Sequence, residues 1–140
     1  MKILLAVDGS PYTKKMLGYL TTHLEVFSPS NEYLVFTAVV PLPGRASAVI
    51  GKEALKSYHV EQAEKVLGPV GKFLARHGIN AKSDWKAAMP GAAIAKAAQD
   101  GSYDLVMMGS HGHGALTNLV MGSVATQVLA HCAVPVLLVR

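Results

Sequence analysis

The stretch DLVMMGSHGHG, residues 104–114, joins a continuous apolar run to a segment rich in glycine. An apolar run without polar alternation is typical of a strand that is buried on both faces of a parallel sheet. Glycines directly after such a strand permit positive φ angles and let backbone N–H groups approach an anion closely. The stretch therefore predicts a buried strand at residues 104–108, followed by a turn that is either a ligand cradle or only a tight connection.

The rest of the chain alternates predicted strands with predicted helices. Further strands are predicted at residues 3–7, 33–40, 79–86 and 134–139, and the strand at 79–86 is polar enough for a sheet edge. Ser10 and Pro11 suit the N-cap and the first position of a helix that runs to about residue 26. Helices are also predicted at 47–77, at 90–99 and in the later part of 118–132, with a kink or a division at Gly68 and Pro69.

This alternation predicts an open, doubly wound α/β fold with a parallel sheet and right-handed crossovers. The 140 residues suit one domain, residues 1–140, and 51% hydrophobic against 16% charged residues excludes a disordered chain. No apolar run approaches the ~20 residues of a membrane span, and the run at residues 3–7 is shorter than the core of a secretion signal. We therefore expect a soluble, cytoplasmic protein that does not associate with membranes.

The basic residues are too dispersed to indicate a nucleic-acid groove. The chain has 13 Lys and Arg against 9 Asp and Glu, a formal net charge of +4. The lysines have the spacing expected on the solvent-exposed faces of helices, and few aromatic residues lie among them to stack on bases. The excess charge fits a small anionic ligand or simple solubility, and no nucleic-acid partner is expected.

The pair Gly122–Ser123 begins the helix that follows the glycine-rich turn. The free N–H groups and the positive dipole end of such a helix favour a phosphate, and Ser123 can either cap the helix or donate to that phosphate. The segment is not a P-loop, because the chain has no G-x-x-x-x-G-K-[ST]. It also fails the dinucleotide fingerprint, since Thr117 stands where the third glycine belongs and no acidic residue follows at the required distance.

Three other candidate sites lack the residues that their chemistry needs. His111 and His113 have no Cys, Asp or Glu beside them in the sequence, so no protein-held metal is predicted. Cys132, the single cysteine, excludes an intrachain disulfide, and beside His131 it lacks a third group that would orient it as a nucleophile. Ser110 does not lie in a G-x-S-x-G elbow, so hydrolase chemistry has no support. We expect no catalytic residues.

The glycine spacing resembles a known nucleotide-binding signature. Gly109, Gly112, Gly122 and Ser123 form the pattern G-x2-G-x9-G-S, which is similar to the signature of the universal stress protein family. The segments VDGS (7–10), VVP (39–41) and VPVLLV (134–139) resemble that family's strand endings in the same order. One departure is AMPG at 88–91, where the family often has glycine before the proline. The resemblance extends over essentially the whole chain.

The resemblance implies a Rossmann-like fold, with five parallel strands in the order 3-2-1-4-5 and helices on both faces, and an ATP site. Asp8 would contact the nucleoside and the Val39 backbone the adenine, although a one-residue shift would put Ala38 there. Residues 108–113 would surround the ribose and phosphates, and residues 122–124 would close over the phosphate tail. The implied binding residues are Asp8, Val39, Met108, Gly109, Ser110, His111, Gly112, His113, Gly122, Ser123 and Val124.

The resemblance also implies a regulatory protein that acts through nucleotide occupancy. Family members with the full glycine signature typically bind ATP, and hydrolysis without a general base, a nucleophile or an arginine finger should be slow. Mg²⁺ bridging the ATP phosphates is compatible with this, because the ion often takes few protein ligands. The alternatives are a nucleotide-independent dimeric scaffold of the same fold and an adenine-nucleotide enzyme, whose catalytic groups the sequence does not offer.

The last apolar strand predicts assembly. The order 3-2-1-4-5 puts residues 136–139, VLLV, at a sheet edge. An apolar edge with unpaired N–H and C=O groups is a hazard unless it is covered. Antiparallel pairing with the same strand of a second molecule would cover it, so we expect a homodimer through this strand.

Overall fold

A five-stranded parallel sheet forms the centre of the structure, a computed structural model that describes residues 1–114 and 118–140. The order of the strands is β3-β2-β1-β4-β5, and every neighbouring pair is parallel. This arrangement confirms the predicted doubly wound α/β fold and its strand order. The strands are β1 (Lys2–Ala6), β2 (Glu32–Val39), β3 (Ala81–Ala87), β4 (Leu105–Gly109) and β5 (Val136–Val139).

Helices cover both faces of the sheet. The helices are α1 (Pro11–Thr22), α2 (Gly44–Ile50), α3 (Lys52–Arg76), α4 (Pro90–Asp100) and α5 (Ser123–His131). Side chains alternate between the two faces of a strand, so Ile3 and Leu5 of β1 pack with α1 and α3. Leu4 and Ala6 pack on the opposite face with α4 and α5. In residues 1–114 and 118–140, no helix is long and apolar enough to cross a membrane.

Helix α1 begins where its sequence predicts. The hydroxyl oxygen of Ser10 accepts the N–H of Thr13 at 3.4 Å, and Pro11 occupies the first helical position. The helix ends at Thr22, earlier than the predicted residue 26, because the chain turns back on itself at His23. Ser10 is completely buried, so this cap lies inside the fold and fixes the direction in which the chain leaves β1.

The division of the second helical region lies at Gly51 and not at Gly68 and Pro69. Gly51 separates α2 from α3 with a φ of +82°, a conformation that residues with a Cβ atom rarely adopt. Helix α3 runs through Pro69 as one element of 25 residues. Leu67 and Val70, on either side of the proline, are both buried against the sheet. This packing offsets the hydrogen bond that the proline removes.

The two edge strands differ in polarity. Strand β3 exposes Lys82, Asp84 and Lys86, as the sequence predicts for an edge. Strand β5, at the other edge, consists of four apolar residues that are each half-buried. Charged side chains discourage pairing with another chain, whereas an apolar edge favours it. The two edges are therefore not equivalent as surfaces for assembly.

Candidate functional site

A cavity of about 430 Å³ opens beyond the carboxyl ends of β1 and β4. Strand β1 lies between β2 and β4, and the helices that follow β1 and β4 pack on opposite faces of the sheet. In open α/β sheets, ligands bind in the crevice at such a switch point. The volume lies within the range of small-molecule sites, roughly 300–1,000 Å³. The topology of the sheet therefore creates the cavity.

One wall of the cavity is apolar and the other is polar. The apolar wall combines the ends of β1, β2 and β4 with the first turns of α4, and includes Ala6, Ala38, Pro90, Ile94 and Met108. The polar wall combines Asp8, the turn after β4 and the start of α5. A flat apolar group and an anionic group could therefore be bound side by side in this cavity.

One carboxylate oxygen of Asp8 accepts hydrogen bonds within the β1–α1 turn, and the other faces the glycine-rich turn after β4. Its Oδ1 accepts the N–H of Ser10 and the hydroxyl of Thr13, each at 2.9 Å. Its Oδ2 lies 2.8 Å from the position that a Cβ atom on Gly112 would occupy. The carboxylate thus holds the β1–α1 turn together and also forms part of the cavity wall. This geometry is compatible with a structural role for Asp8 and with a ligand-binding role.

Glycine is favoured where the turn after β4 meets its neighbours. A Cβ atom on Gly109 would lie 2.5 Å from the Cβ of Tyr12, closer than real side chains approach. A Cβ atom on Gly122 would lie 3.1 Å from the Cα of His111. These contacts bring the first turn of α1, the end of β4 and the start of α5 together. The glycine pattern therefore serves close packing of main chain around the cavity.

The cavity wall includes the first turn of α5. Gly122 is the N-cap, its N–H donates to the carbonyl of Ser110 at 2.8 Å, and no side-chain cap bond is formed. Ser123 is thus the first helical residue, so the interpretation of Ser123 as the cap is wrong. Ser123, Val124 and Ala125 line the cavity. The first N–H groups of a helix have no partner within it, so this turn offers donors to an anion.

Two histidines bridge the glycine-rich turn to other segments. His111 Nε2 lies 2.8 Å from the carbonyl oxygen of Leu119, and its Nδ1 lies 2.8 Å from the hydroxyl oxygen of Ser110. His113 Nε2 lies 2.7 Å from the carbonyl oxygen of Asp8. Both rings line the cavity. The histidines therefore fix the turn and also contribute to the polar wall.

The structure brings nine of the eleven predicted binding residues to the cavity. Val39 and Ser110 do not line it. The Val39 side chain is buried toward α1 and α3, and its carbonyl accepts the N–H of Ala88 at 3.0 Å. Ala38 takes that place because adjacent side chains alternate between the faces of the strand. The residues that do line the cavity are Asp8, Met108, Gly109, His111, Gly112, His113, Gly122, Ser123 and Val124.

Ser110 connects the turn to the sheet. Its N–H donates to the carbonyl of Val139 at 2.8 Å, and only 2% of the residue is exposed. Because its hydroxyl bonds to His111, Ser110 acts on the cavity through that ring. The prediction of a direct ligand contact is not supported by this position.

Sequence reasoning missed the apolar wall on α4. Pro90 and Ile94 line the cavity although they follow β3 in the chain. The predicted strand order could have indicated them, because α4 connects β3 to β4 across the face of β2 and β1, and its first turn follows the carboxyl end of β3. In the described ranges, 1–114 and 118–140, no three His, Cys, Asp or Glu side chains are grouped to hold a metal ion.

Comparison with known proteins agrees with this fold. The model of the family described as "Universal stress protein family" matches residues 1–140. A Thermus aquaticus relative, the universal stress protein in the QAH/OAS sulfhydrylase 3′ region, is 34% identical over 139 residues, which cover 99% of this chain and 97% of the relative.

Two solved structures share the architecture. The structure of MJ0577, a protein of Methanocaldococcus jannaschii, superposes with a TM-score of 0.80 at 27% identity and covers 99% of this chain and 94% of that one. The universal stress protein of Archaeoglobus fulgidus in complex with dAMP superposes with a TM-score of 0.72 at 18% identity. It covers 100% of this chain and 98% of that one.

Proposed function

This chain belongs to the universal stress protein family, and on that premise we propose that it binds ATP in the cavity at β1 and β4 and acts through nucleotide occupancy. The observation that carries the proposal is the close approach of Gly122 to the main chain of the glycine turn. That approach leaves backbone donors, and no bulky side chain, at the start of α5. A relative of the same fold bound to dAMP supports an adenine nucleotide as the ligand.

The polar wall suits the phosphates. The unpaired N–H groups at the start of α5 and its positive dipole end would attract an anion, and the hydroxyl of Ser123 adds a donor. Gly109 and Gly112 keep the opposite side of this wall free of Cβ atoms. We place the phosphate tail between residues 109–112 and 122–124.

The apolar wall suits the base. Ala38, Pro90 and Ile94 form a surface without ionisable groups, opposite the turn that carries Asp8. A planar base can pack there while the ribose lies nearer the Asp8 carboxylate. The adenine position therefore moves from Val39 to Ala38 and α4 in this proposal.

The proposed role is regulatory, with ATP hydrolysis at most slow. The ionisable side chains that line the cavity in the described residues are Asp8, His111 and His113. Asp8 already accepts two hydrogen bonds, and His111 and His113 hold main-chain carbonyls. None is set up to activate a water molecule or to act as an arginine finger. We propose that Mg²⁺ enters with the nucleotide, on the phosphates, and that the protein works in the cytoplasm.

We propose a homodimer through β5. The N–H groups of Val106 and Ser110 donate to the carbonyls of Pro135 and Val139. Backbone groups of alternate residues point to opposite sides of a parallel strand, so the N–H and C=O groups of Val136 and Leu138 turn to the open edge. A second β5, antiparallel about a two-fold axis, would pair with them.

Nucleotide carried through purification tests the proposed function. The protein is denatured after purification without added nucleotide, and the released small molecules are identified by mass. ATP or another adenine nucleotide in the released fraction is expected, or, where the site has emptied, a rise of the melting temperature on adding ATP. If no nucleotide is released and ATP causes no melting shift, the nucleotide-independent scaffold is favoured instead.

A further inference from the structure

Among the residues that the structure describes, the basic residues that line the cavity are two histidines. The chain has 13 Lys and Arg residues, yet within the described residues none of them lines the cavity. The ionisable groups there are Asp8, His111 and His113, and residues 115–117, ALT in the sequence, add no charge. We propose that His111 and His113 determine the preference of the site for polyphosphate nucleotides, and that this preference increases as the pH falls. The inference rests on the proposed function.

His111 can take up a proton without losing either of its hydrogen bonds. Its Nε2 contacts the Leu119 carbonyl oxygen, which only accepts, so Nε2 carries a hydrogen in both charge states. Its Nδ1 faces the hydroxyl of Ser110 at 2.8 Å. A hydroxyl can donate to the neutral ring and accept from the charged one. The surroundings therefore support both the imidazole and the imidazolium.

One ring nitrogen of His113, Nε2, is hydrogen-bonded, and the other, Nδ1, can take up a proton. Its Nε2 donates to the Asp8 carbonyl oxygen at 2.7 Å, and the side chain is exposed at the cavity. Protonation at Nδ1 would leave that bond intact. The charged and titratable groups nearby are the Asp8 carboxylate and, from α1, Tyr12, whose ring lies 4.9 Å from His111. The Nζ of Lys15 lies 4.8 Å from the centre of that same ring.

The charge of the cavity lining changes sign when the two rings are protonated. With neutral rings the lining carries only the negative charge of Asp8, which opposes a polyphosphate. With both rings charged it carries one net positive charge, and charge-assisted hydrogen bonds to phosphate become available. Imidazole changes its charge between about pH 5 and 8. Adenosine has no phosphate, so its binding should not gain from this change.

The experiment compares the pH response of wild-type protein and variants, because ATP itself takes up a proton near pH 6. The affinity for ATP and for adenosine is measured by calorimetry at about pH 6 and about pH 8. His113→Gln keeps a donor for Asp8 but cannot become charged, and His113→Lys is charged at both pH values. His111→Gln tests the second ring, and His77→Gln is the control, because His77 caps the end of α3 and does not line the cavity.

The ratio of ATP affinity at low pH to that at high pH should be about three- to tenfold larger in wild type than in His113→Gln. His113→Lys should bind ATP more tightly than His113→Gln at both pH values, with the same reduced pH response. His77→Gln should keep the wild-type response, and adenosine should show none of these differences. Circular dichroism of each variant without ligand verifies that it is folded.

Two results would overturn the inference, and they are distinguishable. If ATP binds but neither His113→Gln nor His111→Gln reduces the pH response, the histidines do not set the preference and the proposed function stands. If wild-type protein binds no ATP at either pH, the proposed function fails together with the inference.

Discussion

The backbone N–H of Gly122 donates a 2.8 Å hydrogen bond to the carbonyl oxygen of Ser110, and this bond joins the start of α5 to the end of β4. A Cβ atom on Gly122 would lie 3.2 Å from that same oxygen. The position is tight without requiring a positive φ, since Gly122 has a φ of −74°. Glycine is favoured here by the close approach of main chain and not by backbone conformation.

Gly122→Val should abolish ATP binding. The branched side chain would press on the main chain of residues 110 and 111 and displace the turn that faces the phosphates. Wild-type protein should gain about 2.7 kcal/mol of stability at a hundredfold excess of ATP over Kd, and the variant should gain none. Thermal melting with and without ATP measures both.

Gly18→Ala is the matched control for Gly122→Val. A Cβ atom at Gly18 meets nothing within 4 Å, in the interior of α1. Alanine should stabilise that helix by roughly 0.5–1 kcal/mol and leave ATP binding unchanged. ATP binding by Gly122→Val with wild-type affinity would mean that the phosphates lie elsewhere.

Ser123→Ala should weaken ATP binding without destabilising the protein. Its hydroxyl makes no cap bond, because Gly122 is the N-cap of α5. The loss should be about 0.5–1.5 kcal/mol of binding free energy for a neutral hydrogen bond and up to about 3 kcal/mol for one to a charged phosphate. Calorimetric titration gives the affinity, and urea unfolding gives the stability. An unchanged affinity would remove Ser123 from the site.

Asp8→Ala should lower both the stability and the affinity for ATP. The N–H of Ser10 and the buried hydroxyl of Thr13 would lose their acceptor, at a cost of about 1–3 kcal/mol in the free energy of unfolding. Asp8→Asn keeps an oxygen for these donors and should be closer to wild type in urea unfolding. If Asp8→Asn binds ATP as wild type does, the carboxylate is structural only.

Leu138→Pro should produce a monomer. The Leu138 N–H points to the open edge, as the bonds of Pro135 and Val139 to β4 indicate, so proline removes a donor from the proposed dimer alone. Leu137→Pro would instead remove a donor that faces β4 and should lower the stability of the chain itself. Light scattering should give twice 14.8 kDa for wild type and 14.8 kDa for Leu138→Pro. A wild-type mass of one chain would contradict the dimer.

The order of the strands could be predicted because each strand carries its signal locally and the family pattern supplies the topology. The glycine turn could be predicted for the same reason. The division at Gly51 could not, since Pro69 is the stronger helix breaker in sequence. Helix α3 nevertheless continues across Pro69, with Leu67 and Val70 buried on either side of it. Sequence could not show that Ala38 lines the cavity in place of the predicted Val39. That outcome depends on which face of β2 packs against α4, which is a property of the tertiary structure.

Isothermal titration of the purified, nucleotide-free protein with ATP and Mg²⁺ decides whether the cavity binds the nucleotide. We expect saturable heat with one ATP per chain, lost in Gly122→Val and retained in Gly18→Ala. The absence of heat at millimolar ATP, from protein whose circular dichroism verifies the fold, would contradict this expectation.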